Sequence, residues 1–344
     1  MIDNLWRRFG LNSMVILKEK FVTTVNYKDY PDYANRSIVL SKPDTSLLGE
    51  IKFIPQLIKA IGQAKLFLLD STSGKIHPDV LATILIQFLP WSRRPVIVFM
   101  GAMWQKDDGL KGAFQKLLLQ LADKAIACYA VQSTDEIPLF SSTWRISESK
   151  LRFVPYFYTF TKNDLASPAP ASGDFVFAGG NSHRDYLPYL EAIDALREYK
   201  FVIAAHLLGS RTLPPNVQAG PVSRDEFIRL MRASKAVVVP MKMGLIRAVG
   251  QQTYLNAMML GKPTIVTQAL GVRDHIKDGE TAFVVDGTPG SYVRAIRRVF
   301  DPANKAEIDR ICRHSREVVL EQYNFEKHAA RLLEILDEIS RAMA

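Results

Sequence analysis

Short β-branched or aliphatic runs alternate with amphipathic helical stretches along almost the whole chain, and that alternation leaves few folds open. In the first half the runs are "MVILK", "SIVL", "LFLLD", "PVIVFM" and "AIACYAV". Between them stand "LLGEIKFIPQLIKAIGQAK", "HPDVLATILIQFLP" and "GLKGAFQKLLLQLADK", each of helical length and spacing. Strands covered on both faces read as continuous apolar runs, and parallel neighbours need crossover connections, so the pattern predicts parallel sheets with helices on both faces. The alternation pauses at residues 156–173, "YFYTFTKNDLASPAPASG", a stretch rich in Pro, Ala and Ser with little periodicity. It then restarts with "DFVFAGG", "RDYLPYLEAIDALREY" and "KFVIAAH". A chain of 344 residues exceeds the usual span of one core. The expected architecture is α/β: two Rossmann-like, doubly wound domains, residues 1–155 and 174–325, facing each other across a cleft. Residues 156–173 are the expected linker, and the amphipathic stretch 326–344 is expected to pack back on the first domain.

Local signals sharpen several boundaries. Ser133 with Glu136, and Ser223 with Glu226, have the spacing of a capping box. Thr288 followed by Pro289 reads as a cap and first helical position. "KLRFVP", "AVVVPM" and "TAFVVD" read as further strands.

Several classes of protein are excluded by the totals. The longest stretch without Asp, Glu, Lys or Arg, from Ala248 to Gly261, is shorter than the ~20 residues that span a bilayer. The opening residues lack the long apolar run of a signal peptide, which makes the cytoplasm the expected location. Cys128 and Cys312, far apart and without metal-ligand spacing around them, read as reduced packing thiols. Residues 1–155 carry 20 Lys and Arg against 14 Asp and Glu, net +6, and the remainder 24 against 21, net +3. Such a surface suits phosphorylated small molecules or anionic lipid. No groove-reading or base-stacking motif supports nucleic acid.

The stretch "GQQTYLNAMMLGKPTIVT", Gly250 to Thr267, is the densest functional signal. It follows an apolar strand, so it lies at a strand carboxyl end, where open parallel sheets bind ligands. A helix starting near Gln251 points its unpaired N–H groups and the positive end of its dipole at that edge, which suits a phosphate. Gly250 permits close approach, Gln251, Gln252 and Thr253 add donors, and Asn256 lies one turn on from Gln252. Gly261 and Pro263 end the helix.

"GQQTYLNAMMLGKPTIVTQALGVRDHIKDGETAFVV" resembles the signature of the group 1 (family 4) glycosyltransferases, a Gly…Glu-Ala-Met-Ala…Gly-x-Pro-Val block followed by a Gly…Asp…Asp-Gly run. Gly250, Ala257, Met258, Gly261, Pro263, Gly271, Asp274, Ile276, Asp278 and Gly279 sit where that pattern wants them. "DFVFAGGNSHRDYLPYLEAI" is similar to the family's earlier Gly-rich block with a basic residue for the donor diphosphate, which falls on Gly180 and Arg184. The resemblance is detailed from Asp174 to about Phe300. It implies a GT-B fold and a nucleotide-diphosphate sugar donor held mainly by the second domain. It also implies a glycan or lipid-linked acceptor in the first domain, retained anomeric configuration and no further cofactor. Two departures stand out. Asn256 replaces the Glu that contacts the donor ribose, and the earlier Glu of the family's acidic pair would fall at Ala248. The His often found after the fourth strand of the first domain is replaced by "GAM" at 101–103.

The individual residues keep alternatives beside these roles. Arg184 can grip a diphosphate through its planar fork or pair with Asp185 and solvent. Lys242 and Arg247 can neutralise the leaving diphosphate or be solvated loop charges. Asp70, ending "LFLLD", can act as general base or cap the following turn. His77, His183 and His206 read as structural or surface groups, and no catalytic residue is assigned. No Asp-x-Asp closes an apolar strand, and "KDDG" at 106–109 reads as a turn, so metal-independent transfer is expected. Residues 48–65 set Ile51, Ile54, Leu57, Ile58 and Ile61 on one face with Lys52, Lys59 and Lys65 at its rim. With Trp6-Arg7-Arg8 and "WSRRP" this is a candidate peripheral contact with an anionic membrane, or simply a core-facing helix. A sugar-nucleotide-binding subunit without catalysis is the rival within the fold. A nicotinamide oxidoreductase would need a Gly-x-Gly-x-x-Gly that the chain lacks.

Overall fold

The structure, a computed structural model, describes residues 20–41, 46–61, 63–70, 76–101, 106–166, 171–209 and 212–343. The first domain runs β1 (Phe21–Thr23), α1 (Pro31–Ala34), β2 (Ser37–Val39), α2 (Leu47–Lys59), β3 (Leu66–Asp70), α3 (Pro78–Ile86), β4 (Val96–Met100), α4 (Gly109–Asp123), β5 (Ile126–Val131), α5 (Glu136–Trp144) and β6 (Leu151–Phe153). Among the described residues its sheet is wholly parallel, in the order β2-β1-β3-β4-β5-β6. "FVT" was not among the expected strands, because three residues show no period. Pairing with β2 on one side and β3 on the other defines β1. "MVILK" and Trp6-Arg7-Arg8 lie outside the described residues.

Successive residues of a strand face opposite layers, and each layer here has its own cover. Phe67 and Leu69 meet Phe53 and Leu57 of α2, Val80 and Ile86 of α3, and Leu119 of α4. Leu57, on the apolar face read from sequence, is thus core, as the core-facing alternative has it, and α2 stops at Lys59 rather than continuing to 65.

The second domain runs β7 (Phe175–Gly179), α6 (Leu187–Asp194), β8 (Lys200–Ala204), β9 (Val217–Gly220), α7 (Arg224–Ala233), β10 (Ala236–Val239), α8 (Gln251–Met259), β11 (Thr264–Thr267), β12 (Phe283–Val285), α9 (Pro289–Phe300) and α10 (Lys305–Gln322). α11 (Phe325–Met343) follows. The order β12-β11-β10-β7-β8-β9, again parallel, reverses between β7 and β10. A sheet of this kind opens a crevice at the carboxyl ends of those two strands. α6 and α9 cover one face through Tyr189, Ile193, Tyr292 and Ile296. α7 and α8 cover the other through Ile228, Met231, Tyr254 and Met258. Ser223 accepts from Glu226 N and Thr288 from Ser291 N, the two caps read from sequence.

α11 leaves the second domain and lies on the first. Its Leu332, Leu333, Ile335 and Leu336 cover the sheet face formed by Phe21, Leu66, Leu68, Val98 and Cys128. The two chain crossings between the domains run together, with Tyr158 N donating to Tyr323 O at 3.0 Å. His328 seals the junction. Its Nδ1 is 2.7 Å from Pro155 O, a pure acceptor, so Nδ1 carries the proton and Nε2 accepts from the Tyr27 hydroxyl at 3.1 Å. Burial lowers its pKa to about 4, which keeps the ring neutral. No helix among the described residues is long and apolar enough to cross a membrane.

Candidate functional site

The crevice between β7 and β10 is built around Gly180, whose φ of +109° is open to glycine and strained for any other residue. A Cβ there would lie 3.0 Å from a guanidinium nitrogen of Arg184, so the missing side chain is what lets Arg184 fold back over the strand end. The guanidinium donates to Gly179 O at 3.4 Å, Ser182 O at 2.8 Å and Thr253 Oγ1 at 2.9 Å. All three acceptors are neutral. Arg184 forms no ion pair among the described residues, and burial lowers its pKa, the mark of a cation held without a counter-charge. The loop is fixed to the next strand end by Asp185 N to Pro240 O at 3.0 Å and Lys242 N to His183 O at 3.0 Å.

α8 enters the same crevice. Gly250 caps it with φ +78°, and an added Cβ would come within 2.3 Å of Met241 Sδ, so strand end and helix start touch through glycine. Thr253 N and Tyr254 N bond to Gly250 O, while the N–H groups of Gln251 and Gln252 meet no acceptor among the described residues. Those are the free donors at the positive end of the helix. His183 collects the local charge: its pKa is lowered first by burial, then by Arg247, Lys242 and Arg184. Three cations from two loops thus surround His183, and one of them, Arg184, bonds to Thr253 in the first turn of α8, an arrangement that can hold a polyanion such as a diphosphate.

A carboxylate enters this ring from the other domain. Glu136, 7% exposed, accepts from Gln132 N at 3.0 Å and from the backbone N of Ala248. Burial pushes its carboxyl from 4.5 up to about 7, against the pull of Ala248 N, Gln132 N and Arg247. The expected Ser133–Glu136 capping box is therefore corrected. α5 starts later, with Asp135 at its cap and Ser133 Oγ accepting from Asp135 N, and the Glu136 carboxyl divides between the local N–H groups of Gln132 and Ser133 and Ala248 N across the cleft. Neighbouring contacts close the same seam. Thr134 N donates to Asp274 Oδ2 at 3.0 Å, and Gly271 has φ +78° where a Cβ would sit 2.9 Å from Ser133 and Ala248.

Gly180, Arg184, Arg247, Gly250 and Thr253 are thus brought together, and three other expected donor contacts are not in the open crevice. The Gln251 amide donates to Gln132 O at 2.8 Å, joining the domains. Gln252 and Asn256 do face a common partner, but it is Thr159 of the interdomain segment. Gln252 Nε2 donates to its Oγ1 at 2.9 Å, Asn256 Nδ2 donates to it at 3.1 Å, and Asn256 Oδ1 accepts from Thr159 N at 2.7 Å and Phe160 N at 3.3 Å. Asn256, 2% exposed, thus gives both acceptor positions of its amide and one N–H to this strap, a set of protein partners beside the ribose contact expected of it. Glu136 was missed because an S-x-x-E pattern carries no trace of a partner at Ala248. Asp70 ends β3 with its N–H on Thr24 Oγ1 at 2.8 Å, and "KDDG" forms the entry turn of α4, with Asp107 paired to Lys111 at 2.8 Å. Two cavities of about 620 Å³ lie elsewhere on the second domain, one lined by Lys262, Phe300 and Arg316, the other by Phe175, Tyr199 and Asn216. Neither reaches the convergent cations.

Two facing parallel-sheet domains with a cationic crevice at the switch point of the second define the GT-B class. A glycosyltransferase from Rickettsia africae shares the fold at a TM-score of 0.64 and 14% identity, over 93% of this chain and 90% of that one. HepE of Anabaena, solved in complex with UDP, does so at 0.62 and 13%, over 94% and 100%. Within that class, residues 174–301, most of the second domain, match the family model of group 1 glycosyl transferases. D-inositol 3-phosphate glycosyltransferase of Acidothermus cellulolyticus is 27% identical over 131 residues, 33% of this chain and 28% of that protein's length.

Proposed function

We propose that the protein transfers a sugar from a nucleotide-diphosphate donor to a glycan or lipid-linked acceptor, at the cytoplasmic face of a membrane, in polysaccharide, lipopolysaccharide or glycolipid synthesis. One observation carries the reading: Arg184, bonded to Thr253 in the first turn of α8 beside its free N–H groups, is joined around His183 by Lys242 and Arg247. A diphosphate seated there would be neutralised by guanidinium, ammonium and helix dipole, the work that a metal ion does in other transferases. Leaving-group stabilisation of this kind supports metal-independent transfer. It also supports a retaining course in which the departing phosphate takes the acceptor proton, so no side-chain base is assigned. The first domain would present the acceptor across the cleft, with no role for nucleic acid.

Calorimetry with UDP, ADP and GDP and their sugar conjugates, without added metal, tests the donor site. Saturable binding that weakens about ten- to a hundredfold in Arg184→Ala is expected, from a lost charge-assisted fork of ~1.5–3 kcal/mol. Equal affinity in both proteins would refute it. The commitment of Gln251 and Asn256 to protein partners favours one second reading, a subunit that binds the donor without turning it over. Donor hydrolysis or transfer in the same samples would eliminate that alternative.

A further inference from the structure

α4 has two apolar faces and only one of them is covered. Gly112, Leu119 and Ala122 are buried against the sheet layer. On the opposite side Leu110, Phe114 and Leu117, spaced four and three residues apart, are 91%, 60% and 52% exposed. A helix apolar all round is ordinarily buried all round. The bare stripe continues onto the end of α3. Gln87 Nε2 donates to Leu121 O at 2.6 Å, holding the two helix ends side by side, and there Leu85 is 45% and Phe88 83% exposed. α2, where the sequence pointed to such a face, contributes Leu47, Leu48 and Ile51 at its first turns, all about half exposed or more, while Phe53 and Leu57 are in the core.

Cations outnumber acids around the stripe. Lys111 and Lys124 border it along α4, and Arg93 and Arg94 follow Phe88. Lys116 has Arg145 and Lys106 as its charged neighbours, and the acids nearby are Asp107, paired to Lys111 at 2.8 Å, the cap Asp108, and Asp123, paired to Lys150 at 3.0 Å. Lysine is depleted in the cores of protein–protein interfaces, whereas an anionic bilayer takes apolar side chains below its headgroups and Lys and Arg at their level. α4 begins at the carboxyl edge of the first sheet, just after β4, so the Leu110 end of the stripe lies toward the cleft, while Leu85 and Phe88, at the end of α3, lie toward the opposite edge.

We propose that the Leu110–Phe114–Leu117 face of α4, with Leu85 and Phe88, is a docking surface for an anionic lipid bilayer. It lays the first domain along the headgroups with the Leu110 end of α4 toward the cleft, an orientation in which a lipid-linked acceptor could be offered to the donor site. Only that use of the surface rests on the transferase reading; the docking itself does not.

Vesicle flotation reads the docking without any donor. The full chain is mixed with phosphatidylcholine vesicles with and without phosphatidylglycerol, alongside Leu110→Ser/Phe114→Ser/Leu117→Ser, Lys111→Glu/Lys124→Glu, and Leu187→Ser as a control on an exposed leucine of α6. The wild type and the control are expected to float with anionic vesicles and to release as salt is raised. The other two variants are expected to lose about tenfold or more of that partition while keeping the wild-type melting temperature. Failure of the wild type to float, or equal flotation of the triple variant, would overturn the proposal. So would light scattering that shows a wild-type dimer split by the triple variant, because the face would then belong to a second copy. Nucleotide affinity, unmoved by these variants, keeps this outcome separate from the fate of the donor site.

Discussion

Replacing Glu136 by Gln turns the buried interdomain carboxylate into a test of sign. In the folded protein burial raises this carboxyl from 4.5 to about 7, while in the unfolded chain it returns to its ordinary range. Between those values the folded state holds the proton that the unfolded state has lost. Linkage then makes stability greatest below about pH 4.5 and lowers it as pH rises toward 7, the reverse of a salt-bridged carboxylate. At ~1.4 kcal/mol per unit the displacement is worth roughly 3 kcal/mol. Gln has the shape of the protonated acid and does not titrate. Its stability relative to wild type should therefore move in its favour by about 2.5 kcal/mol between pH 5 and pH 8, the rest of the displacement lying below pH 5. Urea unfolding of both proteins across that range, followed by tryptophan fluorescence that includes the fully buried Trp144 of α5, measures the difference, and subtraction cancels the other titrating groups. A difference that stays flat, or moves in favour of wild type, would refute the reasoning. It would mean that Ala248 N, Gln132 N and Arg247 outweigh burial and hold the group ionised.

Three further outcomes follow from the site. Gly250→Ala forces a Cβ to within 2.3 Å of Met241 Sδ at φ +78°, and should cost about 1–3 kcal/mol in thermal unfolding and weaken nucleotide binding in calorimetry. Gly271→Ala places a Cβ 2.9 Å from Ser133 and Ala248 of the two facing loops. Small-angle scattering should show the domains moved apart, with each domain's helix content unchanged by circular dichroism. Asn256→Ala strands the N–H groups of Thr159 and Phe160, and should lower stability by about 1–3 kcal/mol while UDP affinity changes little; a large loss of affinity at unchanged stability would return Asn256 to the ribose.

What could be read from the sequence was whatever repeats along a segment. "LFLLD" and "PVIVFM" are continuous apolar runs and became β3 and β4; the Ser223 and Thr288 caps are local and formed as expected. Arg184 and the α8 entrance were legible because a strand end, a glycine and a helix start are neighbours in the chain. Contacts made across long loops left no such mark. Glu136 fits a local capping pattern, yet its carboxyl bonds also to Ala248, 112 positions away. Asn256 occupies the slot of a family glutamate, but its amide bonds to Thr159 and Phe160 of the interdomain segment, 97 and 96 positions earlier. The apolar stripe of α4 was hidden for a different reason. In "GLKGAFQKLLLQLADK" both faces are apolar, and only the packed structure distinguishes the covered one.

The helix that closes the first domain has a consequence for how the chain is made. One face of the first sheet, with Phe21, Leu66, Leu68, Val98 and Cys128, finds most of its cover in α11, which leaves the ribosome only after the whole of the second domain. The first half therefore emerges with an open greasy face and must wait for its lid, while the second domain can complete its two layers without it. Vectorial synthesis and order of completion run in opposite directions here, and a fragment cut after Pro155 would inherit the waiting state permanently.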